Sequence, residues 1–262
     1  MSEALPLVLV MPVFHEQDTI ARTLTEVREK VAIPHRLLVV HDTDDDPTLP
    51  VVRALAGEHP GLELVKNDLG RGVLNAIKKG FQVACAGQGD PAARPPSRGG
   101  GASAPEHDAA VLVVMADLSD DLSSVEPMYR LLCAGHDLVA GSRYCPGGAQ
   151  HGAPLLKSTL SRLAGRSLHA LTSLPVHDAT NAFRLYRASF LRQVRIESTG
   201  GFELSLELTI KAWAGGFRLA EVPTTWTERA AGKSKFKLAA WLPRYLRWYG
   251  AALAYQAVGK RP

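Results

Sequence analysis

The strongest constraint on the fold is a pattern repeated three times in the first 86 residues, in which a short apolar run leads into a polar turn and then a helical pattern. Apolar runs of this length, bounded by turn residues, are typical of buried strands. The predicted strands are residues 7–14, 36–41 and 62–65, and the predicted helices are residues 20–31, 51–55 and 73–86. Three strand–helix units in a row predict an α/β fold with a mostly parallel sheet.

Residues 87–108 interrupt this pattern, with nine Gly or Pro among 22 residues and no apolar side chain larger than alanine. We expect a disordered surface insertion there. Residues 109–116 then form an apolar run that predicts a central strand buried on both faces. The remaining predictions are a helix capped by Ser123 and ending near Cys133, a strand at 137–141, a helix at 154–173, a strand at 217–223 and a helix at 241–258.

The segment 202–210 leaves its local structure open. Apolar and polar residues alternate there with a period of two, which predicts a strand, whereas its leucines and glutamates favour a helix.

Charge and apolar content indicate which partners and which cellular location to expect. The net charge is +4, but the chain from Lys211 onward has ten Lys or Arg against two Glu, so the preceding residues are mildly acidic. A basic end suits an anionic partner such as nucleic acid, acidic lipid or substrate phosphates. The longest apolar run is far shorter than the ~20 residues that cross a bilayer. Neither a secretory signal nor paired cysteine spacing is evident, so we expect a cytoplasmic protein.

Acidic residues follow two of the predicted strands. Asp42 and three further aspartates come after the second strand, and Asp117, Asp120 and Asp121 come after the strand at 109–116. Ligands of parallel sheets bind beyond the carboxyl ends of the strands. Carboxylates without a Cys or His cluster indicate a hard cation, Mg²⁺ or Mn²⁺, that bridges a diphosphate. The alternative is that both turns are solvated and cap the helices that follow.

Three glycine-containing loops carry basic residues. Gly70-Arg71-Gly72 precedes a helix and could bring backbone N–H groups near an anion, although it lacks a full phosphate-loop signature. The segments Gly141–Tyr144 and Arg229–Lys235 place Arg and Lys where they could close over phosphates. Gly70–Gly72 alone is a weak signal, and each of the other two loops taken alone is better explained as a surface turn.

Taken in order, these segments resemble family 2 glycosyltransferases of the GT-A fold, and most closely the dolichyl- or polyprenyl-phosphate mannose synthase branch. The resemblance extends over residues 5–238 and rests on Val10–Glu16, Asp42, Asp117–Ser119, Gly141–Tyr144, His177–Arg184, Glu221–Pro223 and Arg229–Lys235. It implies a Rossmann-like GT-A domain over residues 1–238, with a mostly parallel central sheet flanked by helices. A C-terminal amphipathic helix over residues 239–262 would follow.

The resemblance also implies which residues contact the nucleotide sugar. The first strand would line the nucleotide pocket, and Asp42 would contact the base or ribose. The complete expected set is Pro12, Phe14, Glu16, Asp42, Gly70, Arg71, Ala116, Asp117, Arg143 and Arg229.

The family's Asp-Ala-Asp metal motif is altered here, because Met115-Ala116-Asp117 lacks the first carboxylate. A thioether is a poor ligand for a hard cation. Either Asp117, Ser119 and Asp120 rebuild the metal site, or the ion binds weakly, or catalysis has been lost. We favour the rebuilt site, because the downstream motifs are intact. His41 likewise stands where relatives often carry an acid.

The resemblance assigns Arg143, Arg229, Lys235 and Asp178 to catalysis. The three cations would contact the donor diphosphate or the acceptor phosphate, and Asp178 would either position the acceptor or orient Arg184 and its loop. The implied reaction transfers a hexose, mannose or glucose, from GDP-mannose or UDP-glucose to a polyprenyl or dolichyl phosphate with inversion. A lipid phosphate is already an anion, so a strong general base is unnecessary.

Two other functions stay open. A saccharide or small-metabolite acceptor would present a neutral hydroxyl and would need a base. A catalytically silent nucleotide-sugar-binding or scaffold protein would explain Met115.

The C-terminal segment combines Trp and Tyr with Lys and Arg, as interfacial helices do. We expect it to lie on the inner face of the plasma membrane, or alternatively to pack on the domain or on a second subunit in a homodimer. Nucleic acid is not an expected partner, because no recognised binding motif is present.

Overall fold

The computed structural model describes residues 4–86, 108–228 and 238–258. All of the predicted insertion except Asp108 lies outside these ranges, as do Arg229 and Lys235.

The described chain alternates strands and helices. The strands are β1 (Leu7–Val13), β2 (His35–His41), β3 (Leu62–Lys66), β4 (Ala110–Val113), β5 (Leu138–Ser142), β6 (Ala149–His151), β7 (Arg184–Arg187), β8 (Leu219–Pro223) and β9 (Thr225–Thr227). The helices are α1 (Ile20–Lys30), α2 (Thr48–Leu55), α3 (Val73–Cys85), α4 (Val125–Cys133), α5 (Leu155–Thr172), α6 (Ala188–Gln193), α7 (Leu204–Ala214) and α8 (Leu238–Val258).

Seven strands form one sheet in the order β3-β2-β1-β4-β7-β5-β8. Strand β7 is antiparallel to both of its neighbours, and the other pairings are parallel. Strands β6 and β9 form a separate parallel pair. The predicted mostly parallel sheet is therefore confirmed.

Helices cover both faces of the sheet, which explains why β1 is apolar throughout. Leu7, Leu9 and Met11 pack into a cluster with α1 and α4, whereas Val8 and Val10 pack into a second cluster with α3 and α7. All seven residues of β1 are buried. This central strand places its carboxyl end between those of β2 and β4.

Most of the alternating segment 202–210 belongs to helix α7, so of the two alternatives left open the helix is the one observed. Its apolar residues and its polar residues are both buried. The carboxylate of Glu207 accepts the backbone N–H groups of Glu197 and Ser198 at 2.6 and 2.7 Å. A helix buried on all sides shows no apolar stripe, and its polar positions are satisfied by tertiary hydrogen bonds.

Two other boundaries differ from expectation. The carboxylate of Asp121, not Ser123, caps the turn before α4 and accepts the Ser123 N–H at 3.1 Å. Strand β4 ends at Val113, although one further bond joins the Val114 N–H to the Val10 carbonyl. The acidic turn therefore begins closer to the sheet than the apolar run predicts.

Helix α8 packs on α5 and α7. Trp248 and Ala252 are 4% and 1% exposed, and the Tyr249 hydroxyl donates to Ser167 Oγ of α5 at 2.8 Å. Of the alternatives for this segment, packing on the domain is thus observed. Among the described helices, none has both the length and the apolar character needed to cross a bilayer.

Candidate active site

The end of β1 presents an aromatic side chain at the edge of the sheet. Phe14 is 40% exposed, and its ring stacks on His15 with 4.3 Å between the ring centroids. His15 has a left-handed backbone with φ of 58°. The Asp46 carboxylate fixes this turn by accepting the His15 N–H, and Thr48 Oγ1 accepts the Glu16 N–H at 2.9 Å. Pro12 is buried within the strand.

Asp42 pins the glycine-containing loop that precedes α3. Its carboxylate accepts Asn67 Nδ2 at 2.7 Å and the Gly72 N–H at 2.8 Å, and Asn67 Nδ2 also donates to the Gly70 carbonyl. The Gly72 amide is therefore bound to a carboxylate, and Arg71 lies on the exposed side of this loop. The expected contact of Asp42 with the base or ribose, and those of Gly70 and Arg71 with the nucleotide sugar, stay predictions.

The second acidic turn folds a carboxylate back toward Met115. Asp120 Oδ2 accepts the Met115 N–H at 3.1 Å, and Asp117 Oδ1 accepts the Ser119 N–H at 3.2 Å. The Ser119 carbonyl accepts the Thr227 N–H, which ties the turn to β9. Burial, and secondarily the charge of Asp117, raise the pKa of Asp120 to about 7.

No group of three or more His, Cys, Asp or Glu side chains in the described ranges is arranged to hold a metal ion. In the second acidic turn, two carboxylates, those of Asp117 and Asp120, are close enough to interact. The first acidic turn does not join them, because its carboxylates are engaged by their own surroundings, as Asp42 and Asp46 show.

Arg143 and Asp178 form a buried bidentate ion pair. Arg143 Nε and Nη2 donate to the two Asp178 oxygens at 2.6 and 3.0 Å, and the side chains are 9% and 0% exposed. Burial opposes ionisation of Asp178, but the Arg143 charge and hydrogen bonds outweigh it and hold the pKa of Asp178 below its usual value. The same partner raises the pKa of Arg143 despite its burial.

Arg184, which is fully buried, supports the loop that carries Asp178. Arg184 Nη2 donates to the Asp178 carbonyl at 2.6 Å, and Nε donates to the Asn181 carbonyl at 2.7 Å. The Asp178 carboxylate therefore orients Arg143, whereas Arg184 supports the backbone of the loop.

Ser161 and Arg162 belong to this site but carry no family motif. Arg143 Nη2 donates to Ser161 Oγ at 3.3 Å, and the Tyr144 hydroxyl donates to the same oxygen at 2.9 Å. Arg162 lies over the Tyr144 ring at 5.5 Å. A cavity of about 440 Å³ opens beside them, lined by Gln150, Gly152, Ala153, Leu155, Ser158, Thr159 and Arg162. The polar stripe of Ser158, Ser161 and Arg162 on a leucine-rich helix is the sequence signal for these residues.

Helix α8 reaches the same region through Tyr245. Burial, followed by the charge of Glu203, raises the pKa of Tyr245, and Arg143 and Asp178 are among the groups that act on it. Tyr245 of the C-terminal helix, which packs on α5 and α7, is therefore close enough to Arg143 and Asp178 to interact with their charges.

Residues 8–86 match the family model described as glycosyl transferase family 2. This part of the chain is similar to family 2 glycosyl transferases. The matched segment contains β1, β2, β3 and α3, and so includes Phe14, Asp42 and the loop at Gly70–Gly72.

Curated proteins are similar to this chain over most of its length. Polyprenol monophosphomannose synthase of Mycolicibacterium smegmatis is 28% identical over 254 residues, which cover 89% of this chain and 85% of that protein. Undecaprenyl-phosphate mannosyltransferase of Micrococcus luteus is 28% identical over 231 residues, which cover 86% of this chain and 85% of that protein. Dolichol-phosphate mannosyltransferase of Pyrococcus furiosus is 23% identical, and 58% of its length is covered.

Solved glycosyltransferases share the fold of the domain. Glucosyl-3-phosphoglycerate synthase of Mycobacterium tuberculosis, in complex with Mn²⁺, uridine diphosphate and glucosyl-3-phosphoglycerate, aligns with a TM-score of 0.63 and 16% identity over 95% of this chain and 80% of that chain. TarS of S. aureus in complex with uridine diphosphate aligns with a TM-score of 0.59 and 14% identity over 95% of this chain and 65% of that chain. The predicted GT-A fold class is confirmed.

Proposed function

We propose that this transferase moves a hexose from a nucleotide sugar to a polyprenyl phosphate with inversion at the anomeric carbon. The names of the three curated relatives support this acceptor class, and each name refers to mannose or to a mannosyl group. Mannose is therefore favoured over glucose as the transferred sugar.

The observation that carries the proposal is the state of Asp178. Its carboxylate is fully buried, bonded to Arg143 and held at a lowered pKa, so it is a poor proton acceptor. A neutral hydroxyl acceptor would need a general base within hydrogen-bond reach. A phosphate acceptor is already ionised and needs only orientation and charge compensation, which a guanidinium provides.

The donor side lies at the carboxyl ends of β1, β2 and β4. Phe14 offers an exposed ring for stacking beside the nucleotide, and Asp42 holds the Gly70–Gly72 loop at the same edge. This placement agrees with the rule that ligands of parallel sheets bind beyond the strand ends.

Asp117 and Asp120, together with Ser119, would hold a divalent cation, Mg²⁺ or Mn²⁺. The two carboxylates are close enough for the charge of Asp117 to raise the pKa of Asp120, and a cation between them would relieve that repulsion. Mg²⁺ commonly takes one or two protein carboxylates and completes its shell with phosphate and water oxygens. When bound, the cation would stabilise the charge that develops on the departing nucleoside diphosphate.

Arg143 is the described residue best placed for the acceptor phosphate. Asp178 presents its guanidinium in a fixed orientation, and Ser161 lies against the same group. Preorganised charge of this kind stabilises a transition state without reorganisation at the moment of reaction. Arg229 and Lys235, which lie outside the described residues, would supply further cations as the family resemblance implies.

Peripheral membrane contact would bring the enzyme to a lipid acceptor. Exposed leucines lie on α5 and α8, two helices that pack together, and include Leu160, Leu163, Leu171, Leu242 and Leu246. Exposed arginines on the same helices are Arg162, Arg166, Arg244 and Arg247. Apolar and basic side chains together favour the interface of an anionic leaflet.

The first test is thermal unfolding with nucleoside diphosphates and nucleotide sugars in Mg²⁺, Mn²⁺ or EDTA, because ligands of the native state raise apparent stability. We expect metal-dependent stabilisation. Sugar transfer is then assayed with a polyprenyl phosphate and with 3-phosphoglycerate as acceptors. Transfer to the lipid alone supports the proposal, transfer to the metabolite alone overturns the acceptor, and nucleotide binding with no transfer indicates a silent binding protein.

A further inference from the structure

Glu221 on β8 is joined to His177 by two hydrogen bonds. Glu221 Oε2 accepts the His177 backbone N–H at 2.8 Å, and Oε1 lies 2.5 Å from His177 Nδ1. Glu221 is opposite Ala140 of β5 in the sheet, so it belongs to the rigid part of the domain. The carboxylate therefore fixes both the backbone and the ring of His177 to the sheet edge.

His177 is also held on its other sides. Its ring stacks on that of His169 with 4.0 Å between centroids, and the His169 Nδ1 lies 2.6 Å from the Leu174 carbonyl. A Cβ atom at Gly165 of α5 would come within 2.2 Å of the His177 carbonyl oxygen, so the helix packs directly on this backbone. The position of His177 is thus set by a strand and a helix together.

The residue after His177 is Asp178, which orients Arg143. The loop between α5 and β7 has no regular secondary structure, so side-chain bonds hold it in place. Arg184 binds its carbonyls at positions 178 and 181, and Glu221 binds its amide at position 177. Glu221 is the anchor on the N-terminal side of Asp178.

We propose that Glu221 and His177 are positioning residues that set the orientation of Arg143 through Asp178. The proposal rests on the proposed function in one respect, namely that Arg143 contacts the acceptor phosphate. Glu221 touches neither substrate. It restrains the backbone that carries the Asp178 carboxylate, which accepts hydrogen bonds from Arg143 Nε and Nη2. A change at Glu221 would therefore alter acceptor binding by moving Arg143.

Steady-state kinetics of Glu221→Ala and Glu221→Gln test the effect on substrate use. Small misplacements of a binding group cost up to about 100-fold in rate, so we expect Glu221→Ala to raise the acceptor KM by about tenfold or more and to leave the donor KM unchanged. Glu221→Gln keeps an oxygen that accepts the His177 N–H and should restore most of the loss. The matched control is Glu63→Ala, which removes the carboxylate that pairs with Arg36 on β2 at the far end of the sheet.

A second measurement does not depend on activity. In protein labelled with ¹⁵N-arginine, the Arg143 Nε–H signal, assigned by its loss in Arg143→Lys, reports the hydrogen bond to Asp178. We expect Glu221→Ala to shift this signal and to speed its exchange with solvent, while Glu63→Ala leaves it unchanged. If Glu221→Ala has the same thermal unfolding midpoint as Glu63→Ala, a change in the Arg143 signal reflects positioning and not general destabilisation.

An unchanged Arg143 signal together with an unchanged acceptor KM in Glu221→Ala would overturn the inference. A matched rise in both KM values with a lowered midpoint would also overturn it, because that pattern indicates a general structural role. If the unmodified enzyme transfers no sugar to polyprenyl phosphate, the proposed function fails. The NMR comparison then decides the positioning role on its own, since it needs no substrate.

Discussion

Replacing Asp120 by Asn removes one charge from the acidic turn while keeping its shape. The Asp120 carboxylate is 9% exposed and accepts the Met115 N–H, and an asparagine carbonyl can accept the same bond. Burial and the neighbouring Asp117 raise the pKa of Asp120 from 3.8 to about 7. The substitution therefore tests whether the metal-free protein is destabilised by ionising this group.

The sign and size of the effect of Asp120 on folding stability follow from the linkage between proton binding and folding. A folded-state pKa above the unfolded value means that the folded protein binds more protons, so stability falls as pH rises from about 4 through about 7. The shift is about three pKa units, and each unit corresponds to about 1.4 kcal/mol. The full penalty above pH 7 is therefore on the order of 4 kcal/mol, of which about 2 to 3 kcal/mol develops between pH 5 and pH 8.

Urea unfolding in EDTA at several pH values, followed by tryptophan fluorescence, measures this penalty. We expect Asp120→Asn to be the more stable protein at pH 8 and its advantage to shrink toward pH 5. Added Mg²⁺ or Mn²⁺ with a nucleoside diphosphate should stabilise the unmodified protein and have less effect on the variant. Asp121→Asn removes a carboxylate one residue away and should follow the unmodified protein.

Parallel curves for Asp120→Asn and the unmodified protein from pH 5 to pH 8 would refute the reasoning. They would mean that the Asp120 carboxylate is solvated in the folded state, and the argument for a cation site at this turn would fail with it.

Three further predictions concern other parts of the site. Asp178→Asn should lower the free energy of unfolding by about 3 kcal/mol, because it leaves a buried guanidinium without its charged partner; chemical unfolding measures this loss. The same substitution should reduce turnover without altering the shape of the rate–pH profile, which a pH series of rates measures. Phe14→Ala should weaken nucleotide binding by about 1 kcal/mol through lost stacking, with the unfolding midpoint unchanged, as titration calorimetry and thermal melts would show. The double variant Leu163→Glu with Leu246→Glu should reduce sedimentation with vesicles of anionic phospholipid and leave nucleotide binding intact.

The sheet could be predicted from sequence because its strands are buried on both faces. A strand such as β1, with Leu7 and Leu9 facing one layer of helices and Val8 and Val10 facing the other, must be apolar at every position. The same rule fails for α7, where Ser205, Glu207 and Thr209 are as buried as the leucines between them. Its polar positions are satisfied by residues distant in the chain, and no local pattern records those bonds.

In the candidate site, too, some residues could be predicted from the sequence and others could not. Motif order named Arg143, Asp178 and Glu221, but the sequence left open whether Asp178 acts on the acceptor or on the protein. The bidentate pair with Arg143 shows that the Asp178 carboxylate is engaged by the protein, and its action on the acceptor stays a prediction. Ser161 was missed, because the polar stripe on α5 does not reveal its hydrogen bond to Arg143, which is distant in the chain.

At Met115, tertiary structure brings a carboxylate to the position where the family motif has one. The left-handed backbone of Leu118 reverses the chain after Asp117, and this reversal returns the Asp120 carboxylate to the Met115 amide. A carboxylate thus lies against the backbone of the position that lacks one. Burial, and secondarily the charge of Asp117, make an ionised Asp120 unfavourable, so the proposed metal site would take up a proton in the absence of a cation. Competition between these two cations is the chemical reason to expect that metal binding strengthens as pH rises through 7.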